Sequence, residues 1–261
     1  MPAFITLLTD FGSQDVYVGV MKGAIARIAP SAVVIDLTHD VAPQAVLAAS
    51  FHLRSAYRYF PDGTVHVVVV DPGVGSQRRA IAVQMPQGYL VGPDNGVFSG
   101  VLADTTGLAA VELNNPVYWR SPQPSQTFHG RDVFAPVGAY LAKGTPFALL
   151  GTAIPVTTLK RLPAVDYQTT ANGFGGSVQH IDRFGNLITS IPGKVLANQQ
   201  WVAAFDILEI QAVQAYADRP AGRLVALVNS QGWLEIAVSQ GSAQAELKAA
   251  VGDPVEVRLL D

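Results

Sequence analysis

The chain has 261 residues, 49% of them hydrophobic and 14% charged, which is enough for the buried core of one large domain or two smaller ones. A formal net charge of −3, with lysines and arginines scattered along the chain, predicts no nucleic-acid partner, and the absence of cysteine excludes disulfides and thiolate chemistry. The N-terminal residues lack a signal-peptide pattern and no apolar run approaches the roughly 18 residues of a membrane span, so we expect a cytoplasmic protein with no membrane partner.

The N-terminal part of the chain alternates between strand and helix patterns. The predicted strands are residues 4–8, 33–37, 65–70, 80–83 and 89–91, and the predicted helices are 16–28, 44–59 and 133–143. Strands that alternate with helices are typical of a parallel sheet. We therefore expect an α/β domain over residues 1–160, with a Rossmann-like, mostly parallel sheet and flanking helices.

The C-terminal part contains short β-rich runs separated by Gly, Asn and Pro turns. The runs are 176–181, 187–191, 204–213, 223–228, 233–238 and 255–260. Closely spaced strands of this kind predict an antiparallel β-barrel or sandwich over residues 173–261. The stretch 151–172 has two prolines, two Thr-Thr pairs and little periodicity, and we predict an interdomain linker at 161–172.

The segment Asp71–Arg79 is the strongest candidate for a functional loop. It follows the run Val67–Val70, which is typical of a strand buried on both faces, so Asp71 is expected at the carboxyl edge of the sheet, where open α/β folds bind ligands. Two glycines allow the loop to turn sharply and to bring Arg78 or Arg79 back to Asp71. A carboxylate and a guanidinium in one glycine-containing loop indicate a polar site.

Three other loop acids accompany Asp71, namely Asp10, Asp15 and Asp40. Loop aspartates often cap helices or hold turns, and Asp15, at the start of the first predicted helix, fits that role best. Asp10 ends the first predicted strand, where an acid can accept hydrogen bonds from the two hydroxyls of a ribose. This position suggests a nucleoside ligand.

His129 is the histidine with the strongest functional indication. It lies in the segment Thr-Phe-His-Gly-Arg-Asp ahead of a predicted helix, where it could handle protons near neutral pH together with Asp71 and Arg78. The remaining histidines are predicted to be structural at positions 52, 66 and 180, and the role of His39, beside Asp40, is left open.

Two turns of the C-terminal part also carry candidates. Asp182, Phe184 and Asn186 lie between two predicted strands. Asp, Gly and Asn are common in hairpin turns, but an aromatic ring beside an asparagine is also a common way to stack on a purine and to hydrogen-bond its edge. The segment Asn229–Trp233 leaves the same alternatives open.

With these loops assembled, the chain resembles the S-adenosyl-L-methionine hydroxide adenosyltransferase family, which is related to the fluorinases and chlorinases. The resemblance covers essentially the whole chain. The matching segments come in the family's order: Thr9–Gly12, Asp40–Pro43, Asp71–Arg79, Gly92–Gly96, Phe128–Asp132, Asp182–Asn186 and Asn229–Gly232.

The resemblance implies an N-terminal α/β domain, a C-terminal β-barrel, and a homotrimer whose sites lie between the N-domain of one subunit and the C-domain of the next. It implies catalytic roles for Asp71, Arg78 and His129. It further implies substrate contacts by Asp10 with the ribose diol, Asp182 with the methionine ammonium, Phe184 as an aromatic wall, Asn186 with the adenine edge and Ser230 with the methionine carboxylate. The chain has Gln44 where halogenases place a tryptophan and Gln231 where they place an arginine.

The reaction implied by the resemblance is hydrolysis of S-adenosylmethionine at the ribose C5′ carbon, which gives adenosine and methionine. A sulfonium is a good leaving group, so we expect no metal and no cofactor. Arg78 would favour hydroxide character, while Asp71 and His129 would orient the water and accept its proton. The Asp71 carboxylate would also repel a halide.

Three other functions are compatible with the same residues. The first is a Mg²⁺-dependent phosphohydrolase that uses Asp10, Asp15, Asp40 and Asp71 as oxygen ligands. The second is a protein that binds S-adenosylmethionine or adenosine without turnover. The third is a structural oligomer in which these loops only cap helices and form turns.

Overall fold

The computed structural model describes residues 3–260. The chain divides into two compact units, Met1–Leu162 and Pro163–Asp261. Within the described range, no helix combines the length and apolar character needed to cross a membrane.

The first unit is built on a seven-stranded sheet with the order β2-β1-β3-β5-β4-β6-β7. Its strands are β1 (Phe4–Thr9), β2 (Val33–Thr38), β3 (Thr64–Val69), β4 (Ala80–Met85), β5 (Gly88–Pro93), β6 (Ala109–Glu112) and β7 (Thr152–Ile154). The four strands β2, β1, β3 and β5 pair in parallel, and β4, β6 and β7 continue the sheet with antiparallel pairings. The predicted α/β class is confirmed, and the sheet is mixed.

Helices cover both faces of this sheet. They are α1 (Tyr17–Ile28), α2 (Val46–Ala56), α3 (Ser99–Asp104) and α4 (Ala135–Ala142), and a π-helix, Gly130–Phe134, runs directly into α4. Side chains of α1 and α4 share one core with Val65, Val67 and Val69, whereas α2 and α3 share another with Val68 and Val70. Strand β3 is therefore buried on both faces, as its run of valines predicts.

The parallel pairing brings two of the candidate acids to one edge of the sheet. Thr9 of β1 is in register with Val69 of β3, so the residues that follow these strands leave the sheet side by side. Asp10 and Asp71 therefore lie at the same carboxyl edge, where α/β sheets bind ligands.

The second unit is an antiparallel β-structure with the strand order β12-β11-β15-β9-β10-β14-β13, and β8 pairs with β9. Its strands are β8 (Gln168–Thr170), β9 (Gly173–Ile181), β10 (Leu187–Pro192), β11 (Trp201–Phe205), β12 (Leu208–Gln211), β13 (Leu224–Val228), β14 (Trp233–Val238) and β15 (Pro254–Leu259), and one short helix, α5, spans Ala243–Leu247. A bridge between Ala212 and Ala226 joins the two ends, so the sheet is a nearly closed barrel.

Two segments differ from the prediction. The stretch 151–172 contains two short strands. Strand β7 pairs with β6. Strand β8, which lies within the predicted linker 161–172, pairs with β9. Strands of three residues are too short to show a periodic pattern. The single run predicted at 204–213 is a hairpin, because the chain turns at Asp206, whose φ of 53° is left-handed.

Candidate active site

The structure brings the three predicted catalytic residues into one network. The Arg78 guanidinium binds the Asp71 carboxylate with both Nε and Nη2; Nε lies 2.9 Å from Oδ1 and 3.0 Å from Oδ2. Nη2 also lies 2.7 Å from Nδ1 of His129. The Asp71 and Arg78 side chains are only 5% and 6% exposed, so this ion pair is held away from bulk water.

The contact with Arg78 determines the protonation of His129. A guanidinium has only donors, so Nδ1 of His129 must accept this hydrogen bond, and the proton of the neutral ring is on Nε2. Burial lowers the pKa of His129 and the positive charge of Arg78 lowers it further, while Asp71 and Asp132 act in the opposite direction. His129 is therefore neutral at neutral pH and presents an N–H donor on its far side.

A cavity of about 430 Å³ lies beside this network. Both Asp71 and His129 line it, and so does Asp10. The remaining lining residues are Phe11, Tyr17, Pro43, Gln44, Val69, Pro72, Val74, Thr127, Phe128 and Gly130. The cavity is large enough for a nucleoside and combines apolar walls with a few polar groups, as expected for a small-molecule site.

Asp10 is held at the cavity by the backbone of a neighbouring loop. Its Oδ2 accepts a hydrogen bond from the backbone N–H of Gln44 at 2.8 Å. Gln44 has a φ of 67°, a left-handed conformation that few residues other than glycine and asparagine adopt readily. This strained residue thus turns its N–H toward Asp10.

Three aromatic side chains form a wall of the cavity. The Tyr17 and Phe128 rings lie 5.3 Å apart, and Phe11 packs against both rings at 5.7 Å and 5.6 Å. Sequence analysis did not assign this wall, because its members come from three separate segments. The available signals were that Phe128 stands beside His129 and Phe11 beside Asp10 in the sequence.

Sequence analysis also missed the role of Asp132. It is buried and accepts hydrogen bonds from Arg120, Arg131 and the backbone N–H of Ser125. Burial would raise the pKa of Asp132, but these bonds hold it well below the usual range of a carboxyl. Asp132 therefore anchors the loop that carries His129. The only indication of this role in the sequence was an aspartate directly after an arginine, Arg131.

The loop of Asp71 and the loop of His129 touch at a glycine. Gly75 has a φ of 77°, and a Cβ atom there would lie 2.4 Å from the backbone oxygen of Gln126. Only glycine allows both this conformation and this close approach. The second arginine of the loop, Arg79, is paired with the buried Asp94 instead of Asp71.

The loop aspartates do not form a metal site. Both oxygens of Asp71 bind Arg78, and Asp15 and Asp40 are exposed. Within residues 3–260 no group of three or more His, Asp or Glu side chains is arranged to hold a metal ion. This geometry disfavours the phosphohydrolase, which requires several acids around one cation.

In the second unit, three candidates form one turn between β9 and β10. The Oδ1 of Asp182 accepts the backbone N–H groups of Phe184 and Asn186, each at 2.9 Å, and Nδ2 of Asn186 donates to Oδ2 at 3.0 Å. Asp182 thus shapes the turn, as the hairpin alternative supposes. Asn186 is buried, whereas the Phe184 ring is 75% exposed at the tip.

Ser230 lies in the turn between β13 and β14. Asn229 shapes this turn by accepting the backbone N–H groups of Gln231 and Trp233, and its Nδ2 donates to Glu235 at 3.1 Å. Glu235 is buried, and its pKa is raised by burial and by the charge of Asp182, against the hydrogen bonds that it accepts. The electrostatic effect of Asp182 on Glu235 links the two turns, and sequence analysis gave no indication of Glu235.

The fold and the cavity define a class of protein that joins an α/β domain with a ligand-sized polar cavity to a β-barrel domain. Two family models, the SAM hydroxide adenosyltransferase N-terminal and C-terminal domains, match residues 5–151 and 176–256. The chain belongs to the SAM hydroxide adenosyltransferase family, which confirms the resemblance seen in the sequence.

Individual relatives agree with this family. The (R)-S-adenosyl-L-methionine hydrolase of Salinispora arenicola is 42% identical over 257 residues, which are 97% of each chain. A more distant relative, a fluorinase of Actinoplanes, is 27% identical and covers 91% of this chain and 92% of its own. An uncharacterized conserved protein from Thermotoga maritima has a similar solved structure, with a TM-score of 0.90, 37% identity, and coverage of 99% of this chain and 100% of its own.

Proposed function

We propose that this enzyme hydrolyses S-adenosyl-L-methionine to adenosine and L-methionine, and that it acts on the (R) epimer at sulfur. The observation that carries the proposal is the buried network of Asp71, Arg78 and His129 beside a nucleoside-sized cavity. The hydrolase name of the Salinispora relative supports the substrate and its epimer.

The chemistry is a substitution at the ribose C5′ carbon. The oxygen of one water molecule attacks C5′, the C5′–S bond breaks, and its electron pair neutralises the sulfonium to give methionine. The water releases one proton overall. Because the leaving group departs without protonation, the barrier depends on placing the water and stabilising its hydroxide character.

The geometry suggests how Asp71 and His129 divide the work. His129 accepts from Arg78 through Nδ1, so its neutral ring donates from Nε2 and holds the water oxygen. Asp71 then receives the water's proton, because it is the acceptor of the network that faces the cavity. Arg78 holds the carboxylate and the imidazole in place and lends positive charge to the developing hydroxide.

In this proposal, residues of both units bind the substrate. Asp10 accepts the ribose hydroxyls, and the apolar part of the cavity excludes bulk water from the sulfonium. The second unit supplies Asp182 to the methionine ammonium, Phe184 and Asn186 to adenine, and Ser230 to the methionine carboxylate. The 75% exposure of the Phe184 ring supports a role in contact with a ligand or another subunit.

We further propose that the enzyme is a cytoplasmic homotrimer whose sites lie between the first unit of one subunit and the second unit of the next. The exposed apolar side chains of Val16, Tyr17 and Val20, on and beside α1, support burial of this face in an oligomer. Tyr17 also lines the cavity, so such an interface would extend to the site.

We also propose that the reaction needs no metal and no cofactor. The pairing of Asp71 with Arg78 supports this, because a carboxylate engaged by a guanidinium is a poor ligand for Mg²⁺. A sulfonium moreover needs no Lewis acid to leave.

The test is incubation of the purified protein with S-adenosylmethionine of mixed configuration at sulfur. We expect equimolar adenosine and methionine, and loss of the (R) epimer alone. Products and epimers are measured by chromatography against authentic standards. Adenine would indicate cleavage of the glycosidic bond, and 5′-methylthioadenosine would indicate loss of the amino-acid chain; either product would overturn the proposal. Binding without any product would favour the non-catalytic alternative.

A further inference from the structure

His39 connects two sides of the loop that carries Asp10. Its Nδ1 lies 2.8 Å from the hydroxyl of Thr9, the residue before Asp10. Its backbone oxygen accepts the N–H of Gly12, on the other side of Asp10, at 2.8 Å. The side chain of His39 is 10% exposed, so these contacts are shielded from water.

The neighbouring carboxylate decides the direction of the Thr9–His39 hydrogen bond. Nε2 of His39 lies 3.1 Å from Oδ1 of Asp36, which cannot donate, so the proton of the neutral ring is on Nε2 and Nδ1 accepts the Thr9 hydroxyl. The Thr9 oxygen also accepts the backbone N–H of Phe11 at 3.2 Å. Asp36 in turn binds Nζ of Lys22 at 2.6 Å.

This arrangement of hydroxyl, imidazole and carboxylate resembles a hydrolytic triad but cannot act as one. Thr9 has no exposed surface, and its oxygen is occupied by the N–H of Phe11. A nucleophile must reach its substrate. The cluster therefore acts on the protein itself, through the backbone on both sides of Asp10.

We infer that His39 is a positioning residue that, through Thr9 and Gly12, holds Asp10 in the orientation that accepts ribose hydroxyls. The inference rests on the proposed function, because that function gives Asp10 the ribose. A carboxylate that must meet two vicinal hydroxyls needs a defined orientation, and Asp10 is otherwise fixed by the Gln44 N–H. Loosening the loop should weaken recognition of the diol more than recognition of the base.

The test compares the dissociation constants of adenosine and 2′,3′-dideoxyadenosine by calorimetry. The wild-type protein should prefer adenosine by about tenfold or more, because each hydrogen bond to a charged group contributes substantially to affinity. Asp10→Ala serves as the reference that loses this preference.

Two variants of His39 separate the contacts of its ring nitrogens. In His39→Asn the amide oxygen falls near the position of Nδ1 and can still accept from Thr9, whereas in His39→Gln it reaches toward the position of Nε2. We expect His39→Asn to keep most of the preference and His39→Gln to reduce it to less than about threefold. Thr9→Val, of similar volume, should have the same effect as His39→Gln.

The results distinguish the inference from the proposed function. If His39→Gln and Thr9→Val weaken the binding of both nucleosides by the same factor, the preference for adenosine is unchanged. The role of His39 is then merely structural, and the inference is wrong. If the wild-type protein itself shows no preference, Asp10 does not bind the ribose, and both the inference and that part of the proposed function are overturned.

Discussion

His129 accepts a hydrogen bond through Nδ1 from Nη2 of Arg78 at 2.7 Å, and this contact determines what His129 can do. The ring is neutral and donates from Nε2, so it can hold the oxygen of a water molecule but has no free nitrogen to take a proton. In the proposed mechanism, Asp71 remains as the acceptor of the water's proton. The roles proposed for the two residues thus follow from the contacts of Arg78 with both of them.

The first prediction concerns Arg78. Replacement by lysine keeps the charge but removes the planar fork that binds Asp71 and His129 together, so Arg78→Lys should lower kcat by about 10²-fold to 10³-fold. The neighbouring Arg79 is also paired with an aspartate, but that residue, Asp94, does not line the cavity, whereas the partners of Arg78 do. Arg79→Lys should stay within about threefold of the wild-type rate in the same adenosine-release assay. Equal losses in the two variants would contradict the assignment.

The second prediction concerns pH. Burial and Arg78 lower the pKa of His129 below 6.5, so the neutral, active ring persists as the pH falls through that value. The ratio kcat/KM should be flat from pH 8 to about 6.5 and decline only at more acidic pH, where protonation of Nδ1 breaks the hydrogen bond of His129 with Arg78. An acidic limb with its midpoint above pH 6.5 in the wild-type profile would show that the pKa is raised instead.

The third prediction concerns the glycine between the two loops. Gly75→Ala places a methyl group 2.4 Å from the backbone oxygen of Gln126, in addition to the cost of a left-handed φ of 77°. Gly63→Ala has a similar φ of 84° but no atom within 4 Å, so it is the matched control. Gly63→Ala should cost about 1–2 kcal/mol in the free energy of unfolding, measured with urea. Gly75→Ala should cost more and also lower kcat by about tenfold or more, because it displaces Arg78 from His129.

Equal effects of Gly75→Ala and Gly63→Ala on both stability and kcat would show that the contact at Gln126 is unimportant for the site.

The fourth prediction tests a site shared between subunits. Asp71→Asn removes the proposed proton acceptor of the first unit, and Asn186→Ala removes the proposed adenine contact of the second unit. Each variant should be nearly inactive alone. If each site takes its units from different subunits, unfolding and refolding the two variants together should restore activity, because some mixed trimers contain a site with neither change.

The size of the assembly, measured by light scattering, should be three chains. Failure of the mixed sample to exceed the activity of its components, although mixed trimers form, would place the whole site in one subunit.

The pairing of Asp71 with an arginine of its own loop was predictable because it is local, although the loop alone left Arg78 and Arg79 as alternatives. Both residues lie in one short loop, and the valine run before the loop indicates a buried strand that ends at the ligand edge of a sheet. His129 was a candidate from its motif alone, and its contact with Arg78 depends on the packing of distant segments. The mixed sheet was not foreseen, since the antiparallel direction of β4 depends on a short turn that periodicity does not reveal.

The residues that sequence analysis missed act through tertiary contacts. Phe11, Tyr17 and Phe128 form one aromatic wall although each is an ordinary apolar residue in its own segment. Asp132 and Glu235 are buried acids whose partners come from other loops. A sequence pattern shows which face a residue occupies but not which distant polar group it will meet.

Isotope labelling can show whether water attacks C5′. The enzyme is incubated with S-adenosylmethionine in ¹⁸O-labelled water, with and without EDTA, and the adenosine is analysed by mass spectrometry. The adenosine should carry one ¹⁸O atom at the 5′ position and should form at the same rate when EDTA is present. Unlabelled adenosine, or activity abolished by EDTA and restored by a divalent metal, would contradict the proposed metal-independent attack by water.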